Sequence, residues 1–404
     1  MPLLPTFSAT LLFATLLLAL SPGHSTAAAQ WQGAAFKGDR ATLGKLAAAG
    51  AKTVRVYGEE DAWVLDEAER LGLKVVMGLW IDHPRHGRLD FEKETARRAQ
   101  EAAIATFVRR HKDHPALLAW GVGNEVETAL ADPLPVWREI DRLAAVVKAI
   151  DPAHPTLMVV ADAGVERLAP LATCCANVDL LGINIYAGAA FDLPRRLAAM
   201  GIKKPVVVAE LGPLGQWQAG RKPWGAPVEL TSSEKAKFYR DALAFLRTQP
   251  QIAGVFPFLW GSKQEQTETW HGILLADGTA TAMTDAVTEA WGASVVAPAP
   301  LIRGIGIAAD VFAPSQEISA GVDAASFDGS PLATEWKVVS EATDLRVGGD
   351  AEAEPARIPV HVKHADAATV RFVAPERPGA YRLFMTIRDR NGKGATANLP
   401  FLVK

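Results

Sequence analysis

Two glutamates stand out because each closes an apolar run. Trp120-Gly-Val-Gly-Asn-Glu125 and Val206-Val-Val-Ala-Glu210-Leu-Gly both carry a carboxyl group directly behind residues of the buried-strand type. A carboxyl group taken out of water is costly to ionise unless its surroundings offset the charge or use it. If the two strand ends meet at one mouth, the pair can cleave a glycosidic bond, one group protonating the leaving oxygen and the other attacking the anomeric carbon. The alternative is a pair of rim glutamates held only in structural ion pairs. The Asn124-Glu125 dipeptide and its distance along the chain from Glu210 argue against that.

The elements that must position these groups alternate strand and helix. Trp31 to Lys37 leads to a helical stretch, Arg40 to Ala49, and then to the β-branched run Thr53-Val-Arg-Val-Tyr57. The pattern continues with a helix from Ala62 to Leu71 stopped at Gly72, a strand from Leu73 to Trp80, and a long helix from about Lys93 to Lys112. Strands follow at Leu117 to Val122, Thr156 to Val160, Val178 to Ile185, Pro205 to Ala209 and Ile252 to Leu259. Helices are expected at Pro135 to Ile150, Leu193 to Met200, Ser232 to Thr248 and Met283 to Trp291. Eight apolar strands, each followed by a helix, predict a (β/α)8 barrel over residues 30–296. In such a barrel the reacting groups sit at the C-terminal strand ends, where Glu125 and Glu210 fall. No Gly-x-Gly-x-x-Gly follows the first strand and no Gly-Lys-Ser/Thr loop occurs, which removes the usual nucleotide-binding readings.

Beyond Pro298 and Pro300 the helical spacing ends. Ile358 to Val362, Thr369 to Phe372 and Tyr381 to Ile387 alternate apolar and polar residues, with turns at Arg377-Pro-Gly and Asn391-Gly. Residues 297–404 are therefore expected to form an immunoglobulin-like β-sandwich, either a spacer or a carbohydrate-contacting accessory.

Charge excludes several partners. With 42 basic and 45 acidic residues, the net charge of −3 provides no cationic field for nucleic acid. The apolar run from Ala9 to Leu20, the break at Ser21-Pro-Gly and the small residues Ala27-Ala-Ala before Gln30 read as a signal peptide over residues 1–29. The mature chain is then expected to be secreted or periplasmic, without a membrane span. The cysteines, Cys174 and Cys175, are adjacent and cannot staple distant segments, so they form either a vicinal disulfide or two half-buried thiols. The pairs in His83-Pro-Arg-His86 and His111-Lys-Asp-His114 lack a matching downstream ligand cluster, so neither a metal nor another cofactor is expected. The chain holds 11 Trp against 4 Tyr, an excess of flat apolar faces suited to stacking on sugar rings.

Gly123-Asn124-Glu125 on strand four with Glu210 on strand seven resembles the retaining glycoside hydrolases of clan A, the 4/7 superfamily, over about residues 31 to 292. The barrel is similar partly to family 2 enzymes and partly to β-1,3-glucanases and glucanosyltransferases. The resemblance implies that Glu125 is the general acid/base, Glu210 the nucleophile and Asn124 the partner of the sugar 2-hydroxyl. It further implies that Arg55 orients the nucleophile, that Tyr186 touches it and that Trp260 floors the −1 subsite. Trp217, Trp224 and Trp270 on the strand-seven and strand-eight loops are candidates for stacking on sugars, and Asp82 and His83 past strand three are candidates for binding a hydroxyl. The implied activity is hydrolysis of a β-linked glucan or related oligo- or polysaccharide. Short loops after strands five and six favour an open groove, and with it endo action or transglycosylation. Transglycosylation with the same pair and a catalytically silent carbohydrate-binding barrel are the other readings.

Overall fold

The computed structural model describes residues 30–87 and 93–404. The expected signal peptide lies outside the described residues. Among them, no helix is long and apolar enough to cross a membrane.

Eight parallel strands close into a barrel: β1 (Trp31–Ala35), β2 (Thr53–Arg55), β3 (Lys74–Leu79), β4 (Leu117–Asn124), β5 (Thr156–Ala161), β6 (Leu180–Tyr186), β7 (Val206–Gly212) and β8 (Ile252–Pro257). The ring closes where Trp31 and Gln32 of β1 pair with Gly254 and Val255 of β8. Helices α1 (Arg40–Ala48), α2 (Trp63–Leu71), α3 (Glu94–His111), α4 (Leu134–Ile150), α5 (Val165–Leu168), α6 (Ala189–Met200), α7 (Ser232–Leu246) and α8 (Ala282–Ala290) form the outer layer. The interior is filled by fully buried side chains such as Val76, Ala119, Val159, Val207 and Phe256, while a second apolar layer lies between strands and helices. Both faces of each strand are therefore dry, which is why the strands read as continuous apolar runs and not as alternating ones.

The remaining strands form two sheets. β10 (Val311–Phe312), β17 (Gly394–Val403), β16 (Gly379–Arg388), β12 (Ala333–Ser340) and β13 (Arg357–Ile358) make one; β14 (Val362–Ala365), β15 (Thr369–Val373), β11 (Glu317–Ala325) and β9 (Leu301–Ile307) make the other. Ile318 and Phe372 from the second sheet share one core with Leu383 and Phe401 from the first, so the sheets face each other as a sandwich. The run expected from Ile358 to Val362 is interrupted: two residues pair with β12, and the chain crosses to the other sheet before Val362.

The sandwich is joined to the barrel by a buried ionic cluster. Lys235 of α7 pairs with Glu229 at 2.6 Å, both side chains being almost fully buried. Glu229 also accepts from Thr267 and Thr269 and, across the interface, from Asn398 of β17 at 2.6 Å. Asn398 accepts in turn from Arg382 of β16 at 2.6 Å, and Arg382 donates to the Pro227 carbonyl and to Glu341. Ser232 and Ser233 at the start of α7 accept from the backbone of Thr396 and Ile302. Cys174 and Cys175 are bonded to each other in the connection leading to β6.

Breaking a buried pair leaves one charge without its counter-ion and typically costs about 3 to 5 kcal/mol. We expect Lys235→Met to lower stability by about that amount, measured by thermal or denaturant unfolding of the whole chain. Lys237→Ala, which removes an exposed pair with Asp241, should change it by less than about 1 kcal/mol.

Candidate active site

The C-terminal strand ends surround a cavity of about 850 Å³. Glu125 and Glu210 both line it, Glu125 from the residue after β4 and Glu210 from within β7. At the end of β4 the pairing with β5 shifts register, and the chain turns through left-handed conformations at Gly123 (φ 71°) and Glu125 (φ 49°). A side chain at position 123 would place its Cβ 2.9 Å from Val126 Cγ2, so the turn that presents Glu125 to the mouth requires glycine there.

Glu210 is held by three donors. Arg55 Nη1 lies 3.3 Å from Oε1, Tyr57 Oη donates to Oε1 at 2.8 Å, and Tyr186 Oη donates to Oε2 at 2.8 Å. Arg55 is buried, and it also donates to the Ala209 carbonyl at 3.0 Å and to Asn124 Oδ1 at 2.7 Å. Asn184 Nδ2 contacts Glu125 Oε1 at 2.8 Å and Asn124 Oδ1 at 3.2 Å. One continuous hydrogen-bonded chain thus runs from Glu210 through Arg55, Asn124 and Asn184 to Glu125. Tyr186 reaches Glu210 only because residue 212 is glycine: a Cβ there would stand 2.2 Å from Tyr186 Cε1.

The two carboxyl groups differ in their surroundings. Burial, reinforced by the nearby charge of Glu210, pushes Glu125 up to about 8, and the Asn184 donor only partly offsets this. Burial and the adjacent Glu210 carboxylate push both tyrosine hydroxyls well above their ordinary value, so Tyr57 and Tyr186 stay protonated donors. The site therefore holds a neutral acid beside a carboxylate position fixed by donors.

Arg55, Asn124, Glu125, Tyr186 and Glu210 are brought together as expected from their strand ends. Trp217 lines the cavity, is 55% exposed and packs edge-on against Tyr186 at 5.0 Å. Five expected residues join neither the cavity lining nor this network. Trp260 is fully buried on the outer side of the barrel wall, donating to the Thr42 carbonyl at 3.1 Å and packed on Trp291. β8 ends at Pro257, so an alternation counted through to Trp260 does not hold; Phe258 and Leu259 face the cavity instead. Trp270 is buried and pins two loops by donating to the Leu214 carbonyl at 2.9 Å. Trp224 is half-buried outside the cavity.

Asp82 and His83 lie behind the lining. Asp82 accepts from Trp80 Nε1 at 3.2 Å, and the His83 ring is stacked between Trp80 and His86. Burial and the neighbouring Arg85 push His83 down to about 4, leaving it neutral. Their effect is to orient Trp80, which lines the cavity and is 37% exposed. Tyr57 and Asn184 were missed from sequence, yet each lies two residues from a chosen one, Arg55 or Tyr186, and so on the same side of its strand.

Residues 52–211 match the family model described as glycosyl hydrolases family 2, TIM barrel domain. No sequence among the curated proteins matches the chain. Among solved structures, it is similar to Bacteroides uniformis β-glucuronidase 2 covalently bound to cyclophellitol-6-carboxylate aziridine, with TM-score 0.51 and 16% identity over 93% of this chain and 46% of that one. It is similar also to the β-glucuronidase of Faecalibacterium prausnitzii (TM-score 0.53, 18% identity, 65% of this chain and 49% of that one). For the β-D-glucuronidase of Dictyoglomus thermophilum the TM-score is 0.52 and the identity 15%, over 66% of this chain and 51% of that one. The chain spans about half the length of these proteins, and at such identities the likeness is one of fold. The matched segment contains Arg55, Asn124, Glu125, Tyr186 and Glu210, so the part of the barrel that carries this site is similar to the TIM barrel of family 2 glycosyl hydrolases.

Proposed function

We propose that this protein hydrolyses a β-linked glucan or related polysaccharide by double displacement, with Glu210 as nucleophile and Glu125 as acid/base. The observation that carries this reading is the pairing of a half-buried, proton-retaining Glu125 with a Glu210 carboxylate gripped by Arg55, Tyr57 and Tyr186 in one cavity. In the first step a Glu210 oxygen bonds to the anomeric carbon as the bond to the leaving oxygen breaks, and the Glu125 proton passes to that oxygen. Esterification removes the Glu210 charge that helped to hold the proton on Glu125. In the second step the Glu125 carboxylate takes a proton from water, which attacks the anomeric carbon and frees Glu210. In this scheme Asn124, which accepts from Arg55, binds the sugar 2-hydroxyl.

A neutral sugar fits the lining. Beyond the catalytic pair it carries the acids Glu60, Asp61, Asp162, Glu265, Asp350 and Glu352 against the cations Lys37, Arg221, Lys263 and Arg346. Lys263 is already paired with Glu265, and Arg346 with Asp344. Trp80 and Trp217 supply flat apolar faces to the same space. The solved relatives are β-glucuronidases, whose substrates carry a carboxylate. The purified chain should therefore be assayed on β-glucan oligosaccharides, aryl β-glucosides and aryl β-glucuronides in parallel. Turnover of the glucuronide alone would overturn the neutral-substrate reading.

The acid must be protonated for the first step, so kcat/KM is expected to fall as pH rises through about 8. A pH profile on a substrate with a poor leaving group measures this, and Glu125→Gln should remove most of the activity on that substrate. Tyr57→Phe deletes one hydrogen bond to a charged group, worth about 1.5 to 3 kcal/mol, and should lower kcat/KM roughly ten- to a hundredfold. The two glutamates are told apart by azide. Glu210→Ala should give a glycosyl azide of inverted configuration by direct attack, whereas Glu125→Ala should give the retained anomer from the accumulated ester, as NMR of the products would reveal. The same anomer from both variants would mean that the roles are misassigned.

A further inference from the structure

Part of the cavity wall does not come from the barrel. Between β12 and β13 the sandwich sends out residues 341–356, and Leu345, Val347, Gly348 and Asp350 from this segment line the cavity. The segment is fixed at both ends. On one side Glu341 accepts from Arg382 at 2.7 Å and from Gln266 at 3.1 Å, and Glu352 accepts from the Gln266 backbone at 2.6 Å, just past β8. On the other side Asp350 pairs with Arg85 at 2.9 Å and with His86 at 2.8 Å, both past β3. In the closed barrel β8 and β3 are separated by β1 and β2. The segment therefore bridges the β1–β2 quarter of the mouth, above Lys37, Glu60 and Asp61. Across the mouth, only residues 162–164 follow β5 and residues 187–188 follow β6 before the next helix, so that quarter carries no comparable cover.

The chemistry sets the direction of the substrate. The sugar that becomes esterified must lie against Glu210 and its partners, Arg55 at the end of β2 and Tyr57 just past it, with Leu259 past β8 beside it. The leaving oxygen must face Glu125, past β4. The retained sugar thus points to the bridged quarter and the leaving chain to the uncovered one. Leu345 and Val347, each more than half exposed, offer apolar surface to the cavity, suited to the C–H face of a sugar.

We propose that segment 341–356 is an end wall that stops the substrate just beyond its retained sugar, so that the enzyme removes units from the non-reducing end of a chain. This rests on the retaining reading of Glu125 and Glu210, and it replaces the open groove and endo action expected from the short loops after strands five and six. Those loops are short; the closure is supplied by the other domain.

The test uses the full chain and short β-linked oligosaccharides labelled at the reducing end, with products sized at early times. The expected result is a labelled ladder that shortens stepwise from the unlabelled end. Early internal products would overturn the wall and leave the glycosidase reading intact, whereas no hydrolysis of any oligosaccharide or aryl glycoside would overturn both. Two variants then probe the segment: replacement of residues 345–351 by a short Gly-Ser linker, and Asp350→Ala, which releases the far clamp. Each should raise the ratio of internal to terminal cleavage, the linker variant by about tenfold, which corresponds to about 1.4 kcal/mol of lost discrimination. If the linker variant does not fold, Asp350→Ala carries the comparison. A segment that only supports the fold would lower the melting temperature and the total rate without moving that ratio, and an unmoved ratio overturns the proposal.

Discussion

Two carboxyl groups that share one mouth are the constraint on which the rest of this molecule turns. Burial of a carboxyl group favours its neutral form, and a neutral carboxyl group cannot attack a sugar. The structure resolves this by distributing its donors unequally. Arg55, Tyr57 and Tyr186 all converge on Glu210, while Glu125 receives a single amide donor and retains its proton up to about 8. The asymmetry is built into strand geometry. Arg55 ends β2 and Tyr57 follows two residues past it, Asn184 and Tyr186 rise from β6, and the members of each pair share a side because they stand two residues apart in extended chain.

How much of the site was legible in the sequence depends on how directly a residue's position is set by its own strand. Glu125, Glu210, Arg55 and Tyr186 sit at or beside the ends of strands whose apolar runs are unbroken, so their placement at the mouth could be counted out. The same counting extended by two residues finds Tyr57 and Asn184. It fails for Trp260, because pairing of β8 stops at Pro257 and the chain beyond it takes a path that no periodicity encodes. Trp270 and Trp224 show the related limit for loops: an aromatic ring there serves either a ligand or the loop itself, and the Leu214 carbonyl that claims the Trp270 indole is remote in sequence. The early strands of the sandwich were hard to read for another reason. β9 and β11 carry Gly, Ala and exposed polar residues, so their alternation is shallow.

The contribution of the sandwich to the mouth lay beyond sequence reading altogether. Nothing in residues 341–356 marks them as part of the cavity wall; they become so through Arg382, Asn398 and Glu341, whose bonds to Pro227, Glu229 and Gln266 set the docking of one domain on the other. A spacer tethered by a flexible linker would hold no such position. Here the cluster around Glu229 and Lys235 is dry and fully partnered, and a network of that kind permits one arrangement of its members.

That cluster bears on where the chain can be cut. The proline-rich junction near Pro298 and Pro300 invites a truncation that keeps the barrel and discards the sandwich. Such a fragment would bring the carboxylate of Glu229 into water stripped of Asn398, and would uncover the start of α7, where Ser232 and Ser233 accept from β17 and β9. The barrel of this protein is thus no self-contained unit that a new appendage could be fused to at will. Exchange of the second domain would have to bring along residues complementary to α7, so the two halves are expected to be inherited together.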